Sequence, residues 1–124
     1  MTINYIDNVI ELYCSGVDIS DEEHGIQIVF NGENVLDYFL LQRHFDEDDR
    51  ISDFYTEGCN TVGYWTFIHA VIDEKSITFS VDKMPVRVHL NITSAKSLQL
   101  RQTLKRLIGF IGKLTDNSSQ PSDN

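Results

Sequence analysis

Apolar and polar residues alternate through most of the first ninety positions, which is the pattern of strands with one buried side. The clearest example is the segment VRVHLNI, whose apolar side holds Val86, Val88, Leu90 and Ile92. Similar apolar or alternating runs predict further strands at residues 8–14, 26–30, 35–43, 51–58, 64–72 and 77–81.

Turn-forming residues separate these predicted strands. The sequence NGEN (residues 31–34) is a strong turn signal and makes residues 26–43 a hairpin. Residues 15–25 and 73–76 are predicted to be polar connections. Pro85 has no backbone N–H for a central sheet ladder, and it therefore marks a break before the last strand.

The hydrophobic period changes after Thr93 from two residues to three or four, which indicates a helix. The apolar face of this helix holds Leu100, Leu104, Leu107, Ile108, Ile111 and Leu114. Thr93 or Ser94 is the expected N-cap. The basic residues towards the C-terminal end suit the negative end of the helix dipole.

Strands followed by one helix predict an α+β fold. We expect a single antiparallel β-sheet of about six strands, with one C-terminal amphipathic helix packed on one face. Residues 1–114 are expected to form one globular domain, because neither a repeat nor a linker interrupts them. The polar residues 115–124 are predicted to be a disordered tail.

The composition is that of a soluble globular protein, with 41% hydrophobic and 23% charged residues. No apolar run reaches the roughly 20 residues of a membrane-spanning helix. The N-terminus MTINYIDNVIELYC lacks the basic region of a signal peptide. We therefore expect a cytoplasmic protein in which Cys14 and Cys59 are reduced thiols, with a disulfide as the alternative.

Negative charge is concentrated before the helix. Residues 1–93 hold 17 of the 19 acidic residues and 5 of the 10 basic residues, and the net charge of the chain is −9. Such an acidic body repels nucleic acid and anionic membranes, and it favours a basic partner. We therefore expect neither nucleic acid nor membrane as a partner. The alternative is that the acidity serves solubility alone.

The densest acidic stretch is HFDEDDRISDFYTEG, which begins at His44. It contains six carboxylates against one cation, Arg50. An EF-hand calcium loop aligned from Asp46 would place Arg50 where an oxygen ligand is needed and Ile51 where glycine is needed. We therefore predict no metal site here, and no cofactor.

Aromatic residues follow the acidic stretch, and protein interfaces are enriched in tyrosine and tryptophan. Strands bury the same residue types, so the core is the alternative location for each of them. The predicted partner-binding residues are Asp46, Glu47, Asp48, Asp49, Asp53, Tyr55, Glu57, Tyr64 and Trp65.

No constellation of catalytic residues stands out in the sequence. The four histidines lack metal-ligand spacing, and phosphate-binding glycine motifs are absent. We therefore expect a protein that is not an enzyme. The alternative is a small hydrolase or ligand-binding domain that uses Cys59 or His69.

Several segments follow one another in a distinctive order: YFLLQR (residues 38–43), an acidic loop, DFYTE, GYW (residues 63–65), AVID, ITFSVD, and VRVHLNI before a helix. This order resembles that of the immunity protein 10 family of bacterial toxin–immunity systems, which include contact-dependent inhibition and polymorphic toxins. The resemblance covers roughly residues 25–114. It implies a small cytoplasmic antitoxin without an active site, which plugs the catalytic cleft of one toxin domain or covers its substrate surface.

The charge of the chain suits such a role. Many toxins of these systems are nucleases, whose substrate surface must be basic to hold a polyanion. We therefore expect a cognate toxin domain as the partner, a basic nuclease that meets the acidic stretch. The antitoxin is expected to act as a monomer or a homodimer.

Overall fold

The computed structural model describes residues 3–6, 9–45, 53–59, 61–81, 85–109 and 112–117. Within these residues the chain is α+β, as predicted. Its elements are β1 (Ile3–Ile6), β2 (Val9–Cys14), β3 (Gly16–Glu22), β4 (Gly25–Asn31), β5 (Tyr38–His44), β6 (Phe54–Glu57), β7 (Gly63–Trp65), β8 (His69–Ile72), β9 (Ser76–Ser80), β10 (Val86–Leu90), α1 (Ser94–Ile108) and β11 (Lys113–Asp116).

The strands in this part of the chain form two sheets, so the prediction of a single sheet was inexact. One sheet has six strands in the order β1-β2-β10-β9-β8-β11, and the other has five in the order β3-β4-β5-β6-β7. Two pairs, β2 with β10 and β8 with β11, are parallel, whereas the prediction was wholly antiparallel. One helix of 15 residues cannot cover the apolar side of eleven strands, and a second sheet does so instead.

The two sheets are held together by their apolar sides. Phe30 and Phe39 come from neighbouring strands of the five-stranded sheet, and Phe79 comes from β9 of the other sheet. The ring centroid of Phe79 lies 5.6 Å from that of Phe30 and 5.2 Å from that of Phe39. All three side chains are fully buried, so the core lies between the sheets.

The predicted strand at residues 64–72 is two strands in different sheets. It divides into β7 in the five-stranded sheet and β8 in the six-stranded sheet. Thr66 and Phe67 lie between them and are exposed, whereas Ile68 is buried. A run with strand composition predicts extended backbone, but it does not tell where the chain changes its pairing partner.

The predicted polar connection at residues 15–25 contains β3, an edge strand of the five-stranded sheet. It pairs with β4 through seven residue pairs, from Gly16 opposite Asn31 to Glu22 opposite Gly25. Its polar residues Asp18 and Ser20 are exposed, while Val17 is buried. The β4–β5 hairpin was predicted correctly, although β5 begins three residues later than expected.

The helix begins where the sequence predicts and ends earlier. The hydroxyl of Thr93 caps it by accepting a hydrogen bond from the backbone N–H of Lys96 at 3.2 Å. It ends at Gly109, whose φ of 57° is unfavourable for residues with a Cβ. Leu100, Leu104, Leu107 and Ile108 of the predicted face are buried, together with Thr103. Ile111 lies outside the described residues.

Leu114 belongs to β11, which runs parallel to β8. The backbone N–H of Asn117 donates to the carbonyl of Ile72 at 2.7 Å, so ordered chain continues beyond the predicted boundary at residue 114. Residues 118–124 of the predicted tail lie outside the described residues.

The helix contacts both sheets, through β3 and through β11, rather than one face of a single sheet. Arg43 of β5 donates from Nη1 to the carbonyl of Leu107 at 2.6 Å, and Arg106 pairs with Asp21 of β3. Within the described chain, no helix is long and apolar enough to cross a membrane.

The apolar face of the helix gives the first testable expectation. Leu104→Ala removes a fully buried side chain and should lower the free energy of unfolding by about 2–5 kcal/mol. Leu98→Ala in the same helix is the matched control, because Leu98 is 54% exposed and should change stability by less than about 0.5 kcal/mol. Urea unfolding measures both. Equal losses would contradict the placement of the helix.

Candidate functional site

One side of the five-stranded sheet faces away from the core. Its strands alternate, so that Phe39, Leu41 and Phe54 point to the other sheet while their neighbours point outward. We call this side the outer face. It consists of Asp18, Ser20, Glu22, Gln27, Val29, Asn31, Tyr38, Leu40, Gln42, His44, Tyr55, Glu57 and Tyr64.

Two tyrosines on this face donate to one carboxylate, and a third tyrosine lies beside one of them. The Tyr38 hydroxyl donates to Oε2 of Glu57 at 2.5 Å, and the Tyr55 hydroxyl donates to Oε1 at 2.8 Å. Tyr64 lies opposite Tyr55 on β7, and the two ring centroids are 5.0 Å apart with the planes inclined by 49°. We call Tyr38, Tyr55, Glu57 and Tyr64 the Glu57 cluster.

The hydrogen bonds of the cluster change the acidity of its members. The hydroxyls of Tyr38 and Tyr55 hold the pKa of Glu57 below its ordinary value, because both stabilise the ionised carboxylate. The same bonds raise the pKa of Tyr38 and of Tyr55, because each phenol would lose on ionisation the proton that it donates to Glu57. At neutral pH the site is therefore an anionic carboxylate held by two neutral phenols.

A turn after β6 positions Tyr38. Gly58 has φ of 86°, and a Cβ there would lie 2.1 Å from the carbonyl oxygen of Tyr38, so only glycine fits. Cys59 is also in the left-handed region at φ of 50°, and its Sγ donates to the same carbonyl at 3.4 Å. The carbonyl of Gly58 accepts from the hydroxyl of Thr61 at 2.7 Å. The turn thus closes tightly on the start of β5.

The outer face carries negative charge and none of the lysines or arginines that the structure describes. Its carboxylates are Asp18, Glu22 and Glu57, and Asp53 is exposed just before β6. Arg43 of β5 turns inward instead, 4.8 Å from the ring centroid of Phe45. The other described cations lie in the six-stranded sheet, its connections and the helix: Lys75, Arg87, Lys96, Arg101, Lys105, Arg106 and Lys113.

The structure brings together three of the residues that the sequence assigned to partner binding, namely Tyr55, Glu57 and Tyr64. Trp65 lies on the opposite side of the sheet, where it packs against the core. Its Nε1 donates to the hydroxyl of buried Thr56 at 2.7 Å. Asp46, Glu47, Asp48 and Asp49 lie outside the described residues, in the chain that connects β5 to β6.

Tyr38 was missed by the sequence analysis although the pattern contains the signal. Phe39 and Leu41 are the apolar side of β5, and this alternation puts Tyr38 on the same side as Leu40 and Gln42. The pairing of Leu40 with Glu57 then brings Tyr38 to the carboxylate. That register could not be read from the sequence.

The alternative catalytic residues lie in different sheets. Cys59 follows β6, and burial raises the pKa of its thiol to about 12, so it is not a thiolate at neutral pH. His69 is on β8, where its Nε2 contacts the hydroxyl of Thr115 at 3.2 Å. Among the described residues, no three histidines, cysteines or carboxylates are grouped so as to hold a metal ion.

A second polar cluster lies on the outer side of the six-stranded sheet. The carboxylate of Glu11 is only 7% exposed, and it contacts Nη1 of Arg87 at 3.1 Å and Nε2 of His89 at 2.5 Å. Tyr13 stacks on His89 with ring centroids 4.4 Å apart. Arg87 thus neutralises this carboxylate, whereas no cation among the described residues contacts Glu57.

The turn at Gly58 supplies a test of how the site is positioned. Gly58→Ala should lower the free energy of unfolding by more than about 1 kcal/mol, because alanine is strained at positive φ and its Cβ would meet a backbone carbonyl. It should also shift the NMR resonances of Tyr38. Gly16→Ala is the control, since a Cβ there meets nothing within 4 Å. A Gly58→Ala variant as stable as the control would contradict this role.

The tyrosine hydrogen bonds supply a second test. Glu57→Gln should lower the pKa of Tyr38 and Tyr55 towards the ordinary value of about 10, followed by site-resolved NMR of the ring carbons. Glu74→Gln, in the turn between β8 and β9, is the control and should leave both titrations unchanged. Unaltered titrations in Glu57→Gln would show that the phenols do not donate to this carboxylate.

The same shifts set the pH range in which the cluster stabilises the fold. The lowered pKa of Glu57 contributes stability above the ordinary carboxyl value of about 4.3, and this contribution is lost as the pH falls through the folded value. The raised tyrosine values contribute below about pH 10, and this contribution is lost as the pH rises through them. The cluster therefore stabilises the folded state most between these limits.

Comparisons with models of protein families, with curated proteins and with solved structures give no match for this chain. What the protein binds must therefore be inferred from its own residues. Those residues provide an acidic and aromatic face on paired strands, with the Glu57 cluster at one end of it.

Proposed function

We propose that the protein is an immunity protein, an antitoxin that binds a cognate toxin domain and neutralises it by covering its active or substrate-binding surface. The observation that carries the proposal is the outer face, where three tyrosines and three carboxylates lie together without a described lysine or arginine. The resemblance of the sequence to the immunity protein 10 family supports the same function. On this proposal the protein acts in the cytoplasm of the toxin-producing cell and its siblings.

Electrostatics favours a basic partner. The described lysines and arginines lie elsewhere on the molecule, so none of them offsets the negative charge of the outer face. A nuclease that holds a polyanion presents the opposite charge. Attraction between such surfaces raises the association rate by about 10- to 1000-fold at low salt. The sequence between β5 and β6 contains four further carboxylates, Asp46, Glu47, Asp48 and Asp49, and one cation, Arg50.

Tyrosines on a rigid sheet favour tight binding once contact is made. Tyr64 is 71% exposed, its backbone is paired with that of Tyr55, and the two ring centroids lie 5.0 Å apart. Large aromatic side chains that are already fixed lose little conformational entropy on binding, and they are enriched among residues that dominate interface energies. Solubility alone accounts for the carboxylates but not for the tyrosines, because exposed aromatic residues favour association over solubility.

Co-expression tests the function directly. The domain encoded immediately upstream of this gene should arrest growth when it is expressed alone, and co-expression of this protein should restore growth. The two purified proteins should form a complex whose association rate falls steeply with salt. Arrest that persists despite soluble co-expressed protein, with no complex formed, would refute the proposal for that partner.

Two matched variants test the steering role of the acidic chain. Asp48→Asn with Asp49→Asn should slow association at low salt and flatten its salt dependence, since rim charges act mainly on the association rate. Asp73→Asn with Glu74→Gln removes the same charge from an exposed turn of the other sheet and should have a smaller effect. Equal effects would mean that net charge, not this segment, steers the partner.

A further inference from the structure

We propose that the Glu57 cluster is a binding site for one arginine side chain of the partner protein. The inference rests on the proposed function, because it names the chemistry by which the toxin domain would be recognised. Two carboxylates of the chain differ in their partners. Glu11 is neutralised by Arg87 at 3.1 Å, whereas Glu57 accepts hydrogen bonds from two phenols and contacts no described cation.

The carboxylate of Glu57 retains capacity for a guanidinium group. Each of its oxygens accepts one phenol hydrogen, and a carboxylate oxygen has two acceptor positions. Counting the described donors, one position therefore remains on each oxygen. An arginine can donate to both oxygens at once, whereas a lysine ammonium is a point charge without that planar match. The lowered pKa of Glu57 keeps the acceptor ionised at neutral pH.

The tyrosine rings provide a second contact for the same cation. A guanidinium group within about 6 Å of an aromatic ring centroid is attracted to the ring face, and its planar shape also stacks on the ring. Tyr64 is exposed beside Tyr55, and the two rings are inclined to each other rather than stacked. This chain uses such contacts internally, since Arg43 and Arg106 each lie 4.8 Å from the Phe45 centroid.

The site is assembled before any partner arrives. Strand pairing fixes Glu57 opposite Leu40, and it fixes Tyr55 opposite both Gln42 and Tyr64. The Gly58 turn holds Tyr38 from the other side. Two phenol hydrogen bonds then fix the carboxylate itself, so that binding an arginine requires little further ordering of the protein. A surface carboxylate without such support would lose more side-chain entropy and bind more weakly.

The position of the cluster selects an arginine carried by a protein surface. The four residues lie on the outward side of three adjacent strands, β5, β6 and β7, and they share that side with the rest of the outer face. Farther along the same face, Glu22, His24, Gln42 and His44 border an open recess of about 300 Å³. A partner that covers the face would therefore meet the cluster and the recess in one interface.

Short peptides test the site without the toxin. Acetyl-Gly-Arg-Gly-amide should shift the NMR resonances of Tyr55, Glu57 and Tyr64 in the folded protein. The peptide with citrulline in place of arginine should not, because citrulline has the same shape without the charge. Glu57→Gln should abolish the arginine response, whereas Glu74→Gln should preserve it.

Three results would overturn the site assignment. They are an equal response to arginine and citrulline, no response to arginine, and an arginine response that survives in Glu57→Gln. A lysine peptide that binds as tightly as the arginine peptide would overturn the guanidinium assignment. Circular dichroism of the variant keeps loss of folding distinct from loss of the site.

The toxin complex gives the second test. Glu57→Gln should weaken the affinity at least about 30-fold, mainly through faster dissociation, because it leaves a desolvated arginine without its counter-charge. Tyr64→Ala should weaken it by up to about 30-fold, and Tyr64→Phe should change it little because the ring remains. Glu74→Gln is the control for charge.

An unchanged affinity in Glu57→Gln would overturn the site assignment but not the proposed function. Failure of the wild-type protein to bind the toxin would refute the proposed function. The peptide experiments would then still test the site by themselves.

Discussion

The contact of Phe79 with Phe30 and Phe39 joins the two sheets, and the other features of the molecule depend on it. The described side chains of β2, β4, β5, β6, β8, β9 and β10 include a buried apolar set, and a facing sheet can cover so much apolar surface. Phe39 and Leu41 of β5 and Phe54 of β6 are fully buried in this way. Their outward neighbours do not pack in this core. Tyrosines and carboxylates can therefore occupy the outer face without weakening the packing between the sheets.

Two arginines at the helix make contacts away from the outer face. Arg43, on β5, turns inward to the carbonyl of Leu107 and the ring of Phe45. Arg106 of the helix binds Asp21 on β3, and in doing so ties the helix to the five-stranded sheet. Each of these cations contributes to holding the helix on the sheets. Neither of them contacts a carboxylate of the outer face.

The sequence predicts which side of a strand is buried better than it predicts which strands are neighbours. Alternation correctly assigned Val86 and Val88 to the core, because period two depends only on local geometry. It did not reveal that residues 64–72 change sheets or that residues 16–22 pair with β4. Those features depend on contacts between distant segments, and polar side chains such as Asp18 conceal an edge strand from a hydrophobic pattern.

In the candidate site, too, the pairing of strands decides what the local sequence pattern leaves open. Tyr64 and Trp65 are adjacent, so one of them must face the core and the other solvent. Both are aromatic, and the sequence offered no reason to choose between them. The register does so: Tyr64 lies opposite Tyr55, and Trp65 lies opposite buried Phe54. Thr56 then supplies the acceptor that an inward indole N–H requires.

The separation between the buried and the outward sides of the five-stranded sheet also affects how its binding specificity could evolve under the proposed function. Outward positions such as Tyr38, Tyr55 and Glu57 alternate with the core positions Phe39, Phe54 and Thr56. If the outer face binds a partner as proposed, a substitution at an outward position changes the binding surface while the packing between the sheets remains. The Gly58 turn is the exception, because its backbone closes on Tyr38 and so ties an outward residue to the fold. Specificity could therefore change freely across the outer face, except where the tight turn and the phenol hydrogen bonds fix Tyr38 against Glu57.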